Sequence, residues 1–453
     1  MGSEKELVTI AVSVALQDAG EATRAVELMK AVRDGAPGGN KFRVVFFSHG
    51  SKFDPLVTES GFELIRVDPP MEGEGYLSDL KPTAVNFVGS RAMGAAMIRG
   101  ELKALEALKP NFIVHGFWPF VSIARRLANK EIPAIRFLPL PLHPAAFAEH
   151  LLTDIPDAVR PLALLPVGLR RRIARAIPAK LIVKLPIYRQ TNLRGAAADC
   201  GWRGKPLKNL FEMLDSDLTV INDFSGFYKG MRMPEGFKVT GPLYAAPRDG
   251  EGIDPAIESL FRREREDQVN IYCSMGSSAT PEFLTEAAYA LASLPNRFHA
   301  LLLAPKAVCP LQDILHIVQG KPNLLATDRF VPALYVSALA DITVSHGGQG
   351  TVQTALASGT PIVGFAMQPE QQINLDHAVL QGAAIRIPKF RWNRRSIRAA
   401  ILKVASDPSY RESAARLGRG MASEDGRRNA AVAVWDFIIS RQSAIGGKSH
   451  SDR

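Results

Sequence analysis

Short apolar runs and stretches with a helical rhythm alternate along this chain. The apolar runs VTIAVSV (8–14), RVVFFSH (43–49), ELIRV (63–67), NFIVHGF (111–117), AIRFLPL (134–140) and LTVIND (218–223) have the β-branched and aromatic content of strands buried on both faces. Helical patterns fall between several of them, notably at 21–33 and 91–108. Buried strands separated by helices predict a parallel sheet with crossover helices, hence an α/β, doubly wound domain. The same rhythm restarts at QVNIYCSMGSS (268–278) and runs through HALLLAP (299–305), LLATDRF (324–330), ITVSH (342–346) and PIVGFA (361–366). The segment VTGPLYAAPRDGEGIDP (239–255) is rich in Gly and Pro and lacks periodicity, which marks a linker. The expectation is two doubly wound, Rossmann-like domains facing a cleft: residues 1–238, a linker over 239–254, a second domain over 255–440, and a small, polar, flexible tail over 441–453. In such folds ligands bind beyond the carboxyl ends of the strands.

Composition narrows the class. With 46% hydrophobic and 22% charged residues the chain is neither disordered nor fibrous. Cys200, Cys273 and Cys309 are far apart and show no CxxC spacing, which excludes a disulfide framework and a cysteine-rich zinc site. The start MGSEKELVTIAVSV has acids where a signal peptide carries bases. No run of about 18 apolar residues is free of charge. These features predict a cytoplasmic protein.

Net charge is +10, and most of the excess lies in one place. Between Ala158 and Ala198 there are nine bases and no acid. The rest of the chain is nearly balanced, which argues against a nucleic-acid partner. The core of the stretch, LLPVGLRRRIARAIPAKLIVKLP (164–186), alternates Arg and Lys with Leu, Ile and Val. A solvated face, a lid over a greasy ligand, and a peripheral contact with anionic membrane through residues 164–194 are all consistent with it.

The segment most specific for chemistry is ITVSHGGQGTVQTALASGTPIVGFAMQPEQQINLDHAVLQ (342–381). A buried strand ends at Ser345-His346, a glycine turn follows, and Thr351 opens a helix. Glycines allow close approach of a ligand to the backbone, and a helix N-terminus offers free N–H groups to an anion such as a diphosphate. A second apolar strand then runs to Ala366, and Glu370, Gln371 and Asn374 follow.

This order of His346, Thr351, Gly359 to Pro361, Glu370-Gln371 and Asn374 resembles the nucleotide-sugar signature of the family 1 glycosyltransferases, the UDP-glycosyltransferase and macrolide glycosyltransferase group, which adopt the GT-B fold. Upstream, Phe330, Val331, Pro332 and Ala333 are similar to the family's Trp-Val-Pro-Gln segment, and YCSMGSS (272–278) to the Gly-Ser turn opening the second domain. The resemblance spans about residues 8–440 and is specific in the second half. It implies that His346 and the turn Gly347, Gly348, Gln349, Gly350 and Thr351, with Gly276, Ser277 and Ser278, hold the donor diphosphate. Phe330 would stack on the nucleobase, the Val331 backbone would pair with its edge, and Glu370 and Gln371 would bind sugar hydroxyls. No metal and no cofactor are implied, the nucleotide sugar being a co-substrate. One departure stands out: the Glu that grips the ribose in family members is here Thr354, with Gln353 beside it.

The family's base is a His in the first strand-to-helix loop, oriented by an Asp at the end of a later strand. Here the His position holds Glu21, and the strand NFIVH ends in His115. An exchanged pair is one reading, with Glu21 as base and His115 as its partner; Asp18, in the same loop, competes. A first-turn glutamate and a strand-end histidine without function are the plainer reading. The function expected is inverting transfer of a sugar from an NDP-sugar, UDP-sugar foremost, to a hydroxyl of a small, lipophilic acceptor. A GT-B nucleotide-sugar epimerase and a non-catalytic nucleotide-sugar-binding or partner subunit are the alternatives.

Overall fold

The computed structural model describes residues 7–38, 41–128, 131–157, 159–244, 252–276, 280–306, 308–329 and 331–448. They form two compact units. In the first, seven strands lie in the order β3-β2-β1-β4-β5-β6-β7. They are β1 (Val8–Ser13), β2 (Phe42–Ser48), β3 (Glu63–Arg66), β4 (Phe112–His115), β5 (Ala134–Leu138), β6 (Leu218–Ile221) and β7 (Phe237–Val239). In the second, six strands lie in the order β10-β9-β8-β11-β12-β13. These are β8 (Val269–Ser274), β9 (Phe298–Leu303), β10 (Leu324–Thr327), β11 (Ile342–Ser345), β12 (Ile362–Gly364) and β13 (Ala384–Arg386). Every pairing is parallel. Both units are Rossmann-like, as the apolar runs predict, and in each the strand order reverses at one point: between β1 and β4, and between β8 and β11. That crevice is where doubly wound sheets take their ligands.

The first sheet is covered on both faces. Helix α1 (Ala19–Asp34) packs Ala22, Val26 and Met29 against Val12, Phe112 and Val114. The other face carries Ala11, Val45 and Ile113 under α2 (Arg91–Leu108) and α3 (Pro119–Leu127). Alternate side chains of one strand thus enter different layers.

The division into units differs from an uninterrupted split in the linker. Residues 150–177 group with the second unit and 425–453 with the first. The reasons are local. α4 (Val167–Ala176) belongs to the former segment, where Arg170 donates to Asp154 at 2.7 Å. In the second unit, α5 (Gln349–Ala357) follows β11 and α6 (Pro369–Leu380) follows β12. The last helix, α7 (Gly426–Lys448), buries Ala430, Val434 and Ile438 in the α1 layer, and Trp435 donates to Val32 O at 2.8 Å. The flexible tail expected from 441 is therefore helical to Lys448; residues 449–453 lie outside the described residues.

Candidate functional site

At the switch point of the second sheet, β11 ends in Ser345 and His346 enters the turn. Gly347 adopts φ +82°, its amide donates to Ser345 Oγ at 3.2 Å, and α5 begins at Gln349, two residues before the expected Thr351. The His346 ring is held between two glycines. A Cβ on Gly348 would lie 2.7 Å from the ring, and one on Gly276 would overlap it. Burial pushes the His346 pKa down to about 4, so the ring is neutral near pH 7. Its buried Nδ1 has no hydrogen-bond partner among the described residues. A buried polar atom at a strand-order reversal, beside the first amides of a nine-residue helix, fits a ligand oxygen.

The polar residues of α6 are tied to this turn. Asn374 Nδ2 donates to Gly347 O at 3.1 Å and to Glu370 Oε1 at 2.6 Å. Gln371 Oε1 accepts from the Met367 amide at 2.9 Å, so Gln371 spends that oxygen on backbone. Val331 is buried against Tyr272 and Val336. Gln349 and Gln353 are buried, whereas Thr351 and Thr354 are half-buried. Thr354 Oγ1 donates back to Gly350 O at 2.9 Å and Thr351 O at 3.1 Å, so its proton is already used within the helix. Ser277, Ser278 and Phe330 lie outside the described residues.

The far side of α6 holds a cluster that the motif does not announce. Arg386 donates to Asp376 Oδ1 (2.6 Å), Asp157 Oδ1 (2.5 Å) and Asp154 Oδ2 (2.7 Å). Gln372 Nε2 donates to Ile155 O at 3.0 Å, and Gln372 Oε1 accepts from the Asp157 amide at 3.0 Å. One buried guanidinium with three carboxylates thus clamps residues 154–157 to the helix carrying Glu370 and Gln371. The signal was available only as a lone Arg at a strand end.

In the first unit, the loop after β1 places Glu21 in the first turn of α1. Asp18, the N-cap, accepts from the Glu21 amide at 2.8 Å. Glu21 itself is buried, and its Oε1 accepts from the Ala15 amide at 3.2 Å. Burial is the largest cause raising its pKa to about 7; the Arg24 charge pulls it back, and Asp18 adds to the rise. A Cβ on Gly116, just beyond β4, would overlap the Glu21 carboxylate.

The expected partnership with His115 is not formed. His115 Nδ1 donates to Gly116 O at 2.9 Å, and its Nε2 has no partner among the described residues. Strand parity is the reason. Phe112 and Val114 face α1, so His115 shares the opposite face with Ile113. There it lies beside its register neighbour Arg136. Burial first, and the Arg136 charge second, hold its pKa well below the usual imidazole value. His115 is a neutral strand-end residue in another layer.

A second buried constellation in this unit escaped the motif reading. Glu101 of α2, wholly buried, accepts on Oε1 from Ser13 Oγ at 2.6 Å and Trp118 Nε1 at 2.9 Å, with His49 Nε2 3.3 Å away. His49 lines a pocket of about 520 Å³ with Gly50, Arg66 and Met71. Among the described residues no group of three His, Cys, Asp or Glu side chains could hold a metal, and no helix is long and apolar enough to cross a membrane.

Comparison with known proteins agrees with this geometry. The family described as Erythromycin biosynthesis protein CIII-like, C-terminal domain, matches residues 314–433. A PGL/p-HBAD biosynthesis glycosyltransferase of Mycobacterium tuberculosis is 25% identical over 72% of this chain and 70% of its own. Among solved structures, the glycotransferase of kitacinnamycin superposes with a TM-score of 0.62 over 96% of this chain and 98% of that one, at 23% identity. The spinosyn rhamnosyltransferase SpnG complexed with thymidine diphosphate does so with a TM-score of 0.57 over 95% and 100%, at 14% identity. The relatives are transferases, which favours transfer over the epimerase and binding-subunit readings. Two parallel Rossmann-like sheets and this company identify the chain as a glycosyltransferase on the GT-B fold, similar to the macrolide type, with the match to the erythromycin CIII-like family confined to its second unit.

Proposed function

We propose that the chain is an inverting glycosyltransferase that moves a sugar from a nucleoside diphosphate to a hydroxyl of a small, lipophilic acceptor of the natural-product or glycolipid kind. His346, pinned between Gly276 and Gly348 with Nδ1 unpartnered, is the observation that carries the donor assignment. In this reading the neutral ring and the first amides of α5 receive the diphosphate, and Glu370, steadied by Asn374, binds sugar hydroxyls. Glu21 takes the acceptor's proton, the freed oxygen bonds to the anomeric carbon from the far side, and the bond to the diphosphate breaks. The charge that develops on the leaving diphosphate meets fixed dipoles, which stabilise it without reorganising. A carboxylate held near pKa 7 is matched to that proton transfer at neutral pH.

The nucleoside is the finer point. UDP is the family expectation, yet the position of the family's ribose-gripping Glu holds Thr354, whose hydroxyl is bonded back to its own helix. That favours a 2′-deoxyribose, which has one hydroxyl fewer to satisfy, and hence a TDP-sugar. The SpnG structure was solved with thymidine diphosphate. A thermal-shift panel of UDP-, TDP- and GDP-sugars on the full chain tests the reading. A ligand at a hundredfold excess over its Kd adds about 2.7 kcal/mol. A shift with none of the three defeats the donor assignment, and a shift with UDP-sugars alone defeats the deoxyribose preference. Peripheral contact with anionic membrane through residues 164–194 belongs to the same reading.

A further inference from the structure

The buried carboxylate of Glu101 takes no part in the chemistry proposed above, yet it is bonded to both sides of the slot that holds Glu21. Helix α2 lies over the sheet face that carries Ala11, Ser13 and Ala15. From there Glu101 Oε1 accepts from Ser13 Oγ at 2.6 Å, at the end of β1, and from Trp118 Nε1 at 2.9 Å, at the N-cap of α3. Glu101, Ser13 and Trp118 are fully buried, so water does not compete for these bonds. His49 is the titratable group facing the carboxylate: its Nε2 lies 3.3 Å from Oε1, and its Nδ1 donates to Pro69 O at 2.9 Å. Two residues beyond Ser13 is Ala15, whose amide donates to Glu21. Just before Trp118 come Phe117, whose amide also bonds Glu21, and Gly116, whose missing Cβ leaves room for it. The backbone groups that hold Glu21 thus lie on two segments, 13–15 and 116–118, and one oxygen of Glu101 ties both.

Packing does not account for a carboxylate here. Its Oε2 is buried without a hydrogen-bond partner among the described residues, a cost that an apolar side chain of similar volume would avoid. We infer that Glu101 is a positioning residue for Glu21: by joining the end of β1 to the N-cap of α3, it fixes the separation of the two segments between which the Glu21 carboxylate is held. It acts through backbone, since no hydrogen bond links the two glutamates. The inference rests on the reading of Glu21 as the base for its catalytic consequence, and on the hydrogen bonds of Glu101 for its location. Without the tie the segments part and water reaches Glu21. Burial is the largest cause of the raised Glu21 pKa, so the net effect is a fall from about 7 towards 4.5. Asp18 and Arg24, the charged groups that act on Glu21, are not bonded to Glu101 and stay as they are.

The test compares the full chain with its variants E101L and E101Q between pH 5 and pH 8. Leu removes the acceptor, whereas Gln keeps one oxygen for Ser13 and Trp118. In E101L the rising limb of the turnover profile should move to lower pH. Its plateau should fall about tenfold or more, since a displacement of about 1 Å can cost on the order of 10²-fold. Affinity for a nucleoside diphosphate, by isothermal titration, should hold, and E101Q should restore both limb and plateau. Should E101L fail to fold, W118F and S13A each remove one of the two bonds and should move the limb the same way. A second readout needs no turnover. In the wild-type background E21Q gains in melting temperature over the Glu21 protein as pH rises, because the native pKa is raised. That gain should shrink when E21Q is combined with E101L, W118F or S13A. A limb and a gain that these variants leave unchanged overturn the inference. So does an E101Q as impaired as E101L, or a loss of nucleotide affinity that matches the loss of turnover. Normal turnover in E21Q would defeat Glu21 as the base, and the melting comparison would then decide the positioning role by itself.

Discussion

Replacing Glu21 by Gln removes the proposed proton acceptor while preserving its shape and its bond from the Ala15 amide. Two magnitudes follow. A carboxyl raised from 4.5 to about 7 on folding corresponds to about 3 kcal/mol of free energy. Its sign is set by linkage: because the folded pKa lies above the unfolded one, the native state holds the proton more tightly. That contribution to stability is complete below pH 4.5 and is lost as pH rises through 7. Gln has no proton to lose. The melting temperature of E21Q should therefore match or exceed that of the wild type increasingly between pH 5 and pH 8. Turnover is the second magnitude. A missing general base costs ~10²–10⁴ in rate, with donor affinity unchanged. The wild-type rate should climb with pH to a plateau above about 7, and the variant should lack that limb. Asp18→Asn is the control, because Asn caps a helix as well as Asp does and leaves only the carboxylate's charge in question. Normal turnover in E21Q with its pH limb intact would refute the assignment. A dead D18N beside a normal E21Q would move the base to Asp18.

Gly116→Ala should displace the Glu21 carboxylate and lower turnover without weakening donor binding, by isothermal titration with a nucleoside diphosphate. His346→Ala should weaken that nucleotide at least tenfold, about 1.4 kcal/mol, and Gly276→Ala should do the same by driving a Cβ into the ring. Since His346 is pushed down to about 4, wild-type nucleotide affinity should not follow a histidine titration between pH 6 and 8. His115→Ala and E21Q should add to within about 0.5 kcal/mol in transition-state energy, since the two side chains share no bond; marked non-additivity in steady-state kinetics would restore the exchanged pair. Arg386→Leu leaves Asp157 and Asp376 without a cation and Asp154 with Arg170 alone, and should destabilise the second unit by about 3–5 kcal/mol in a denaturant titration.

The architecture was legible because buried parallel strands are written as uninterrupted apolar runs. Nine of the eleven runs picked from the sequence contain strands whose cores are wholly or mostly buried, such as Val269–Ser274 and Ile342–Ser345, and LLATDRF forms the half-buried edge strand β10. ELIRV also forms a strand, β3, though it lies at the sheet edge and is largely exposed. What escaped was short or composite. β7 and β13 have three residues each, too few for periodicity to register. The end of the chain reads as small and polar from Ser443, yet α7 carries through it because its preceding turns, with Ala430, Val434 and Ile438, are fixed against α1. The grouping of residues 150–177 depends on Asp154, Asp157 and Arg386 meeting more than 200 residues apart, and no local pattern encodes that.

The site divides along the same line. The glycine turn proposed for the donor was legible as a structure because it is local: strand end, glycines and helix start are consecutive, so the sequence order is also the spatial order. The exchanged pair expected of Glu21 and His115 was not local, and residue types at two strand ends could not decide it. The deciding information was nonetheless present in the strand itself. Val114 faces α1, so parity sends His115 to the other layer, whatever its suitability as a partner. The residue that does meet Glu21 is the next one, Gly116, whose contribution is the Cβ it lacks. Space at Gly116 and backbone hydrogen bonds from Ala15 and Phe117 then hold the carboxylate, and burial, the largest cause, raises its pKa to about 7. An acid in the place of the family's histidine needs no second side chain to orient it, because a carboxylate has no tautomer to select.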